Sequence, residues 1–202
     1  MADAVLTHPQ NAEPNLFTQD ELGWLPWLGP LSEPELTERH REALLEPARI
    51  KSPYFMLLAR DPGILEARTK TDKDIFYNPD GGLPRAEREL AAAATSRFNG
   101  CIFCASVHAR FASTYSKRGE DVQRLLDIGT TADLDERWNA VVSASIALTA
   151  TPIEFGRAHI DRLRVAGLDD AAIADVINSA AFFNWANRLM LSLGEPTPPN
   201  RA

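Results

Sequence analysis

Leu83-Pro84-Arg85-Ala86-Glu87-Arg88-Glu89-Leu90-Ala91-Ala92-Ala93-Ala94 leads, through Phe98, into Asn99-Gly100-Cys101-Ile102-Phe103-Cys104-Ala105-Ser106-Val107-His108. Pro84 sits where a helix tolerates proline best, in its opening turn. The strong helix formers behind it predict a helix over Arg85–Phe98. Asn-Gly is a helix-ending dipeptide, because both residues reach left-handed backbone angles at low cost. A second helix is predicted from Cys101 to about Lys117, so the stretch reads as a helical hairpin.

Working outward, the same rhythm recurs. Helical segments are expected around Leu36–Leu44, Tyr54–Leu58, Ile64–Tyr77, Asp121–Leu126, Asp133–Leu148, Glu154–Val165 and Asp169–Leu193. Pro-Gly, Asn-Pro, Thr-Pro and Gly punctuate them. No alternating apolar run bounded by turns suggests a sheet. The expected fold class is all-α, with residues 35–202 as the helical domain. Residues 1–34 read as an irregular arm, since Pro9, Pro14, Pro26, Pro30 and Pro34 block a continuous helix. Trp24 and Trp27 within it either plug gaps in the chain's own core or wrap a neighbouring subunit.

The bulk numbers narrow the function classes. A chain of 202 residues with 45% hydrophobic and 24% charged residues is ordinary globular material, long enough to bury a core without disulfides. A net charge of -7 argues against a nucleic-acid partner, whose phosphates call for basic patches. The longest uncharged stretch, around Asn139–Ile153, suits a buried helix and not a membrane span. Met-Ala-Asp-Ala-Val at the start shows no secretory pattern, so a cytoplasmic location is expected. In that compartment two cysteines are catalytic, redox-active or metal-binding more often than structural.

Those two cysteines carry the chemistry. Cys101 and Cys104 stand three apart, and His108 follows four after Cys104. Helical positions three and four apart share a face, so two thiols and an imidazole should meet at one spot. At a helix start, unpaired N–H groups lower a thiol's pKa, and His108 can take its proton. Once one sulfur is a sulfenic acid, the other can condense with it to a disulfide. The pair also fits two blander readings: half a zinc site, which needs a fourth ligand, or inert packing. Glu87, Arg88 and Glu89 should be mostly exposed, although the hairpin could bring Glu89 back beside the cysteine helix.

Glu89, Cys101 twelve residues later, and then Cys-x-x-Cys-x-x-x-His resembles the signature of alkylhydroperoxidase D-like proteins, in the carboxymuconolactone decarboxylase superfamily. The resemblance covers roughly residues 50–130. Phe183-Asn184-Trp185-Ala186-Asn187-Arg188, ending in Leu193-Gly194, looks like the peroxidase-related branch of that family. The resemblance implies an all-helical alkylhydroperoxidase D-like fold and a thiol-dependent peroxidase acting on hydrogen peroxide or organic hydroperoxides in antioxidant defence. It implies Cys104 as the attacking thiol, Cys101 as the resolving one, and His108 with Glu89 as a proton relay through water. It implies no metal and no other cofactor, a separate thiol reductant, and a homo-oligomer. The alternatives are a general thiol–disulfide oxidoreductase and a non-enzymatic redox sensor. One departure stands out: Phe103 occupies the position where the best-known alkylhydroperoxidases carry a second histidine. Phe103 shortens the relay and makes the site more apolar, which raises thiol pKa. Lactone decarboxylation is disfavoured, because that branch lacks the cysteine pair.

Other candidates have plainer readings. Arg97 and Arg110 lie near the cysteines in sequence but are more simply solvated. His159 reads as a surface or packing histidine, and Trp138 and Trp185 as core. Asn184, Asn187 and Arg188 suggest a buried polar network at a subunit interface.

Overall fold

The computed structural model describes residues 4–199; the outermost residues of the expected arm and of the helical domain, 1–3 and 200–202, lie outside the described residues. Nine α-helices form among them: α1 (Glu38–Leu44), α2 (Pro53–Leu58), α3 (Pro62–Tyr77), α4 (Arg85–Phe98), α5 (Ile102–Ser116), α6 (Gly119–Ile128), α7 (Glu136–Thr149), α8 (Arg157–Val165) and α9 (Asp170–Leu193). The all-α reading holds, and most boundaries fall within a few residues of expectation.

Local chemistry sets those boundaries. Asp61, Asp135 and Asp169 cap α3, α7 and α9 by accepting the backbone N–H three residues on, at 2.8 to 3.1 Å. Pro62 opens α3 at a first-turn position. Gly100 turns the chain between α4 and α5 at φ +80°, a conformation that glycine adopts freely. Helix α8 starts three residues later than expected. The N–H groups of Glu154 and Phe155 both bond back to the Ala147 carbonyl, closing a turn over the end of α7 instead of starting a helix.

Helix α4 is the axis of the molecule. It packs against α5, α7 and α9, and every residue from Glu87 to Ser96 is buried. Ala91–Ala94 lie 0–1% exposed, and their small side chains let three helices approach one. The expectation that Glu87, Arg88 and Glu89 lie exposed is therefore wrong, and each is buried for a reason. Glu87 takes a two-pronged pair from Arg137, at 2.7 and 2.8 Å. Arg88 donates to the carbonyls of Leu83, Ile75 and Asn78, which ties α3 to the start of α4. Glu89 faces α5. Buried charges survive when they are paired and hydrogen-bonded.

The absence of a sheet is the second expectation to fail, in a small way. Gly23–Pro26 (β1) pairs antiparallel with Gly194–Thr197 (β2), with Gly23 opposite Thr197 and Pro26 opposite Gly194. Four residues broken by proline carry no alternating pattern a sequence reading could find. The ribbon fastens the N-terminal arm to the C-terminal end of α9. Trp27 Nε1 donates to Glu195 at 2.8 Å, and Asn11 donates to the same carboxylate. Trp24 is buried and packs edge-on against Tyr54, so it fills a gap in its own chain's core, the first of the two readings of the arm. Gly194 has an extended backbone, yet a β-carbon there would collide with the Leu25 carbonyl and the Trp24 ring. Gly194→Ala should therefore destabilise the fold by about 1–3 kcal/mol, the range for overpacking, read as a lower midpoint in urea denaturation. An unchanged midpoint would mean that the ribbon contributes nothing to stability.

Candidate active site

The α4–α5 hairpin builds the site. The N–H groups of Asn99, Gly100 and Cys101 bond to the carbonyls of Thr95, Arg97 and Ser96, which makes the connection tight. Cys101 is the N-cap of α5, and Ala105 N–H bonds to its carbonyl as the first helical bond. Cys104 is the third helical residue and His108 lies one turn further on. Both cysteines are free thiols and both are buried. They do not, however, look the same way. Cys104 and His108 line a pocket of about 290 Å³, whereas Cys101 is not among its walls and packs into the core behind.

The hairpin brings Glu89 to His108. The Nδ1 of His108 lies 2.6 Å from Glu89 Oε2, and the other carboxylate oxygen receives Arg85 Nε at 3.1 Å. Glu89 is 1% exposed. Arg85 is held in turn by rings, with its guanidinium 4.1 Å from the centre of Tyr77 and 4.3 Å from that of Tyr115. The imidazole itself sits between Phe183, at 3.9 Å edge-on, and Phe76, at 5.2 Å. A carboxylate on Nδ1 selects the tautomer that carries its proton there and leaves Nε2 as the acceptor. Among the described residues His108 makes no hydrogen bond to Cys104; its one side-chain partner there is Glu89.

One electrostatic expectation is overturned. The start of a helix was expected to lower the pKa of Cys104; it is raised well above the usual thiol value. Burial is the largest cause, followed by the hydrogen bond and charge of Cys101, while Asn187 and Arg68 pull the other way. Desolvation of the charged sulfur outweighs a few helix-terminal N–H groups. Alkylation requires the thiolate, so carboxymethylation of Cys104 should still accelerate as the pH passes the ordinary value of 9.0. A plateau below about pH 8 would contradict the raised pKa.

Of the remaining candidates, Asn187 joins the site and several do not. Asn187 is fully buried and donates to Ser96 Oγ at 3.0 Å, while Asn99 donates to both Asn184 and Asn187. Asn184 and Asn187 thus belong to a polar network that pins α9 to the hairpin turn, whereas Arg188, expected in the same network, is exposed. Arg97 bonds to the Leu126 carbonyl and stacks on Phe17, away from the pocket; Arg110 does not line it either. His159 stacks on Phe155 and bonds to Gly156 N–H at the start of α8, as a surface histidine. Trp138 is core, but Trp185 is 40% exposed, contrary to expectation, because it lies on the outer face of α9. Sequence reading missed Arg85, Tyr54, Arg68 and Phe183. Arg85 stands four residues before Glu89, the spacing of a helical ion pair, and that signal was readable. The other three come from α2, α3 and α9, and only the fold brings them to the cysteines. Among the described residues no cluster of three or more His, Cys, Asp or Glu side chains is placed to hold a metal ion.

The chain resembles known proteins in sequence over this site and in fold over nearly its full length. Residues 62–147, from α3 to α7, match the model of the carboxymuconolactone decarboxylase family. A peroxidase-related protein of Ralstonia eutropha with an alkylhydroperoxidase AhpD core superposes with a TM-score of 0.69 at 23% identity, covering 96% of this chain and 95% of that one. A peroxidase-related protein of Silicibacter gives 0.70 at 21% identity, over 93% and 95%. The debrominase Bmp8 gives 0.65 at 17% identity, over 81% and 88%. None of the curated proteins matches the sequence significantly.

Proposed function

We infer, from the match of residues 62–147 to the carboxymuconolactone decarboxylase family model and the fold shared with peroxidase-related proteins, that this protein is a thiol peroxidase reducing hydroperoxides through Cys104 and Cys101. The observation that carries the reading is the division of the two thiols. Cys104 opens onto the pocket beside the His108–Glu89 pair, while Cys101 lies behind it without access. That division supports attack by Cys104 and resolution by Cys101.

The chemistry balances as follows. His108 Nε2 draws the Cys104 proton through a water, and the sulfur attacks the outer oxygen of ROOH. The S–O bond forms, the O–O bond breaks, and the proton returns to RO⁻ to give ROH. Sulfur supplies the two electrons and becomes a sulfenic acid. The Cys101 thiol displaces its hydroxyl as water, leaving the Cys101–Cys104 disulfide. An external dithiol restores both thiols and becomes a disulfide itself. A high thiol pKa suits a site with its own base: a more basic sulfur is more nucleophilic once the proton is gone.

The narrow pocket also bears on the alternative of general disulfide exchange. Cys104 is only 5% exposed, so a peroxide or a small dithiol reaches it more readily than a bulky protein disulfide does. A peroxide is small enough to enter. The test is turnover of hydrogen peroxide and cumene hydroperoxide with glutathione, dihydrolipoamide and thioredoxin as reductants. Consumption of peroxide with mass-spectrometric appearance of the Cys101–Cys104 disulfide is expected. Faster reduction of a peptide disulfide than of any peroxide would replace the reading with the oxidoreductase one.

A further inference from the structure

Part of the pocket wall is polar in an unusual way. Arg49 precedes α2, Tyr54 is on α2, and Arg68 and Asp72 are a turn apart on α3; all four line the pocket with Cys104. Four polar atoms here are shut off from solvent with no partner in good hydrogen-bond geometry: Arg49 Nη1, Arg68 Nε, Arg68 Nη1 and the Tyr54 hydroxyl. The guanidinium of Arg68 lies close enough to Tyr54 to favour its charged form, but an arginine only donates, so the phenol O–H still lacks an acceptor. The Arg68 side chain is 8% exposed, and its approach to Asp72, at 3.5 Å, is too long to satisfy it. Arg49 reaches Glu46 only through Nε, at 3.6 Å. Both guanidiniums are fixed in place by rings. Arg49 lies 4.5 Å and Arg68 5.6 Å from the Phe55 centroid, and Arg68 lies 5.4 Å from Phe182.

Native interiors rarely leave buried donors unpaired, and a cluster of them in a cavity marks a missing acceptor. Two arginines and a phenol together ask for an anion with several acceptor oxygens. Burial keeps the Tyr54 phenol protonated, its pKa pushed up to about 12, so it remains a donor. A carboxylate has two oxygens and matches the arginine fork. Much of the remaining lining is aromatic: Phe103, Phe111 and Phe183 give an apolar body a surface to rest on. At about 290 Å³ the pocket is at the small end for organic ligands, which excludes a long acyl chain.

We propose that Arg49, Arg68 and Tyr54 form a carboxylate-binding site, and that the substrate reduced at Cys104 is a small organic hydroperoxide bearing a carboxylate. The substrate half rests on the peroxidase reading; the binding half does not. Held by its carboxylate at the arginines, such a molecule lays its apolar body along the phenylalanines and directs its hydroperoxide to the sulfur. Asp72, the one acidic side chain at that end of the pocket, holds Arg68 in place at a distance that leaves its N–H groups free.

Two measurements test this. Calorimetry with the unreactive phenylpropanoate and its neutral amide reads the anion site alone. The carboxylate should bind roughly tenfold tighter to the reduced wild type, and the preference should vanish in Arg68→Gln. If Arg68→Gln does not fold, Arg49→Gln takes its place and should cut the preference several-fold. Equal binding of acid and amide to the wild type, or a preference that survives both substitutions, would overturn the site. Kinetics with para-carboxy cumene hydroperoxide and its carboxamide then read the substrate: the acid should have the lower KM. An amide turned over as well as the acid would overturn the substrate class. If no hydroperoxide at all is reduced while the acid still binds tenfold tighter, the peroxidase reading has failed and the carboxylate site stands.

Discussion

Cys104→Ser abolishes hydroperoxide turnover, whereas Cys101→Ser consumes one equivalent of peroxide and then stops. The asymmetry follows from placement. Cys104 is the only thiol among the described residues that line the pocket; the other sulfur there is the Met190 thioether, which cannot pass through a sulfenic acid to a disulfide. A serine hydroxyl cannot become a sulfenic acid, and the loss should be on the order of 10³-fold or more, as for removal of a nucleophile elsewhere. Without Cys101 the sulfenic acid still forms but has no resolving thiol, and dimedone should trap it on Cys104. Both substitutions replace a buried sulfur by a smaller hydroxyl, so each variant needs a thermal melt beside its assay. Wild-type turnover in Cys104→Ser, or turnover in Cys101→Ser sustained at the wild-type rate with the same dithiol reductant, would remove the assigned roles.

The hairpin that presents these sulfurs was legible in the sequence because its signals are local. Pro84 opens a helix, Asn99-Gly100 turns the chain, and the four-residue spacing puts Cys104 and His108 on one pocket wall, with Cys101 packed behind Cys104. The pairing of Glu89 with His108 was legible only as something that the hairpin would permit. Its 2.6 Å contact depends on how deeply α4 is sunk among α5, α7 and α9. That depth is what the sequence concealed. Glu87, Arg88 and Glu89 look like a solvated first turn, since charges in a row usually are. Their partners are the Arg137 side chain on α7, backbone carbonyls near the end of α3, and Arg85 with His108. The raised pKa of Cys104 was hidden in the same way. A helix start favours the thiolate by a local effect, but burial under α9 and beside Tyr54 opposes it, and burial is set by distant residues. Phe103 was the one local hint that the site would be apolar.

Glu89→Gln should lower turnover near neutral pH by roughly 10²–10⁴-fold, the usual contribution of a positioned base, while keeping the fold. Glutamine has the same shape, but its amide nitrogen can face Nδ1 of His108 as a donor. The imidazole would then carry its proton on Nε2, the atom that has to accept one. A structural role alone would not predict how the deficit changes with pH. Cys104 has a raised pKa, so its thiolate is scarce at neutral pH and increases as the pH rises through and beyond the usual thiol range. Once the thiolate forms without help, the base has less to do, and the gap between Glu89→Gln and wild type should narrow toward alkaline pH. Glu89→Ala tests the other half of the role. It leaves Arg85 and His108 facing a void, and removing one member of a buried pair costs about 3–5 kcal/mol. The lower end is expected here, because the Arg85 side chain keeps 19% of its exposure and can turn toward water. If Glu89→Gln matched wild type at neutral pH, or fell by the same factor at every pH, Glu89 would hold the helices together without taking part in proton transfer.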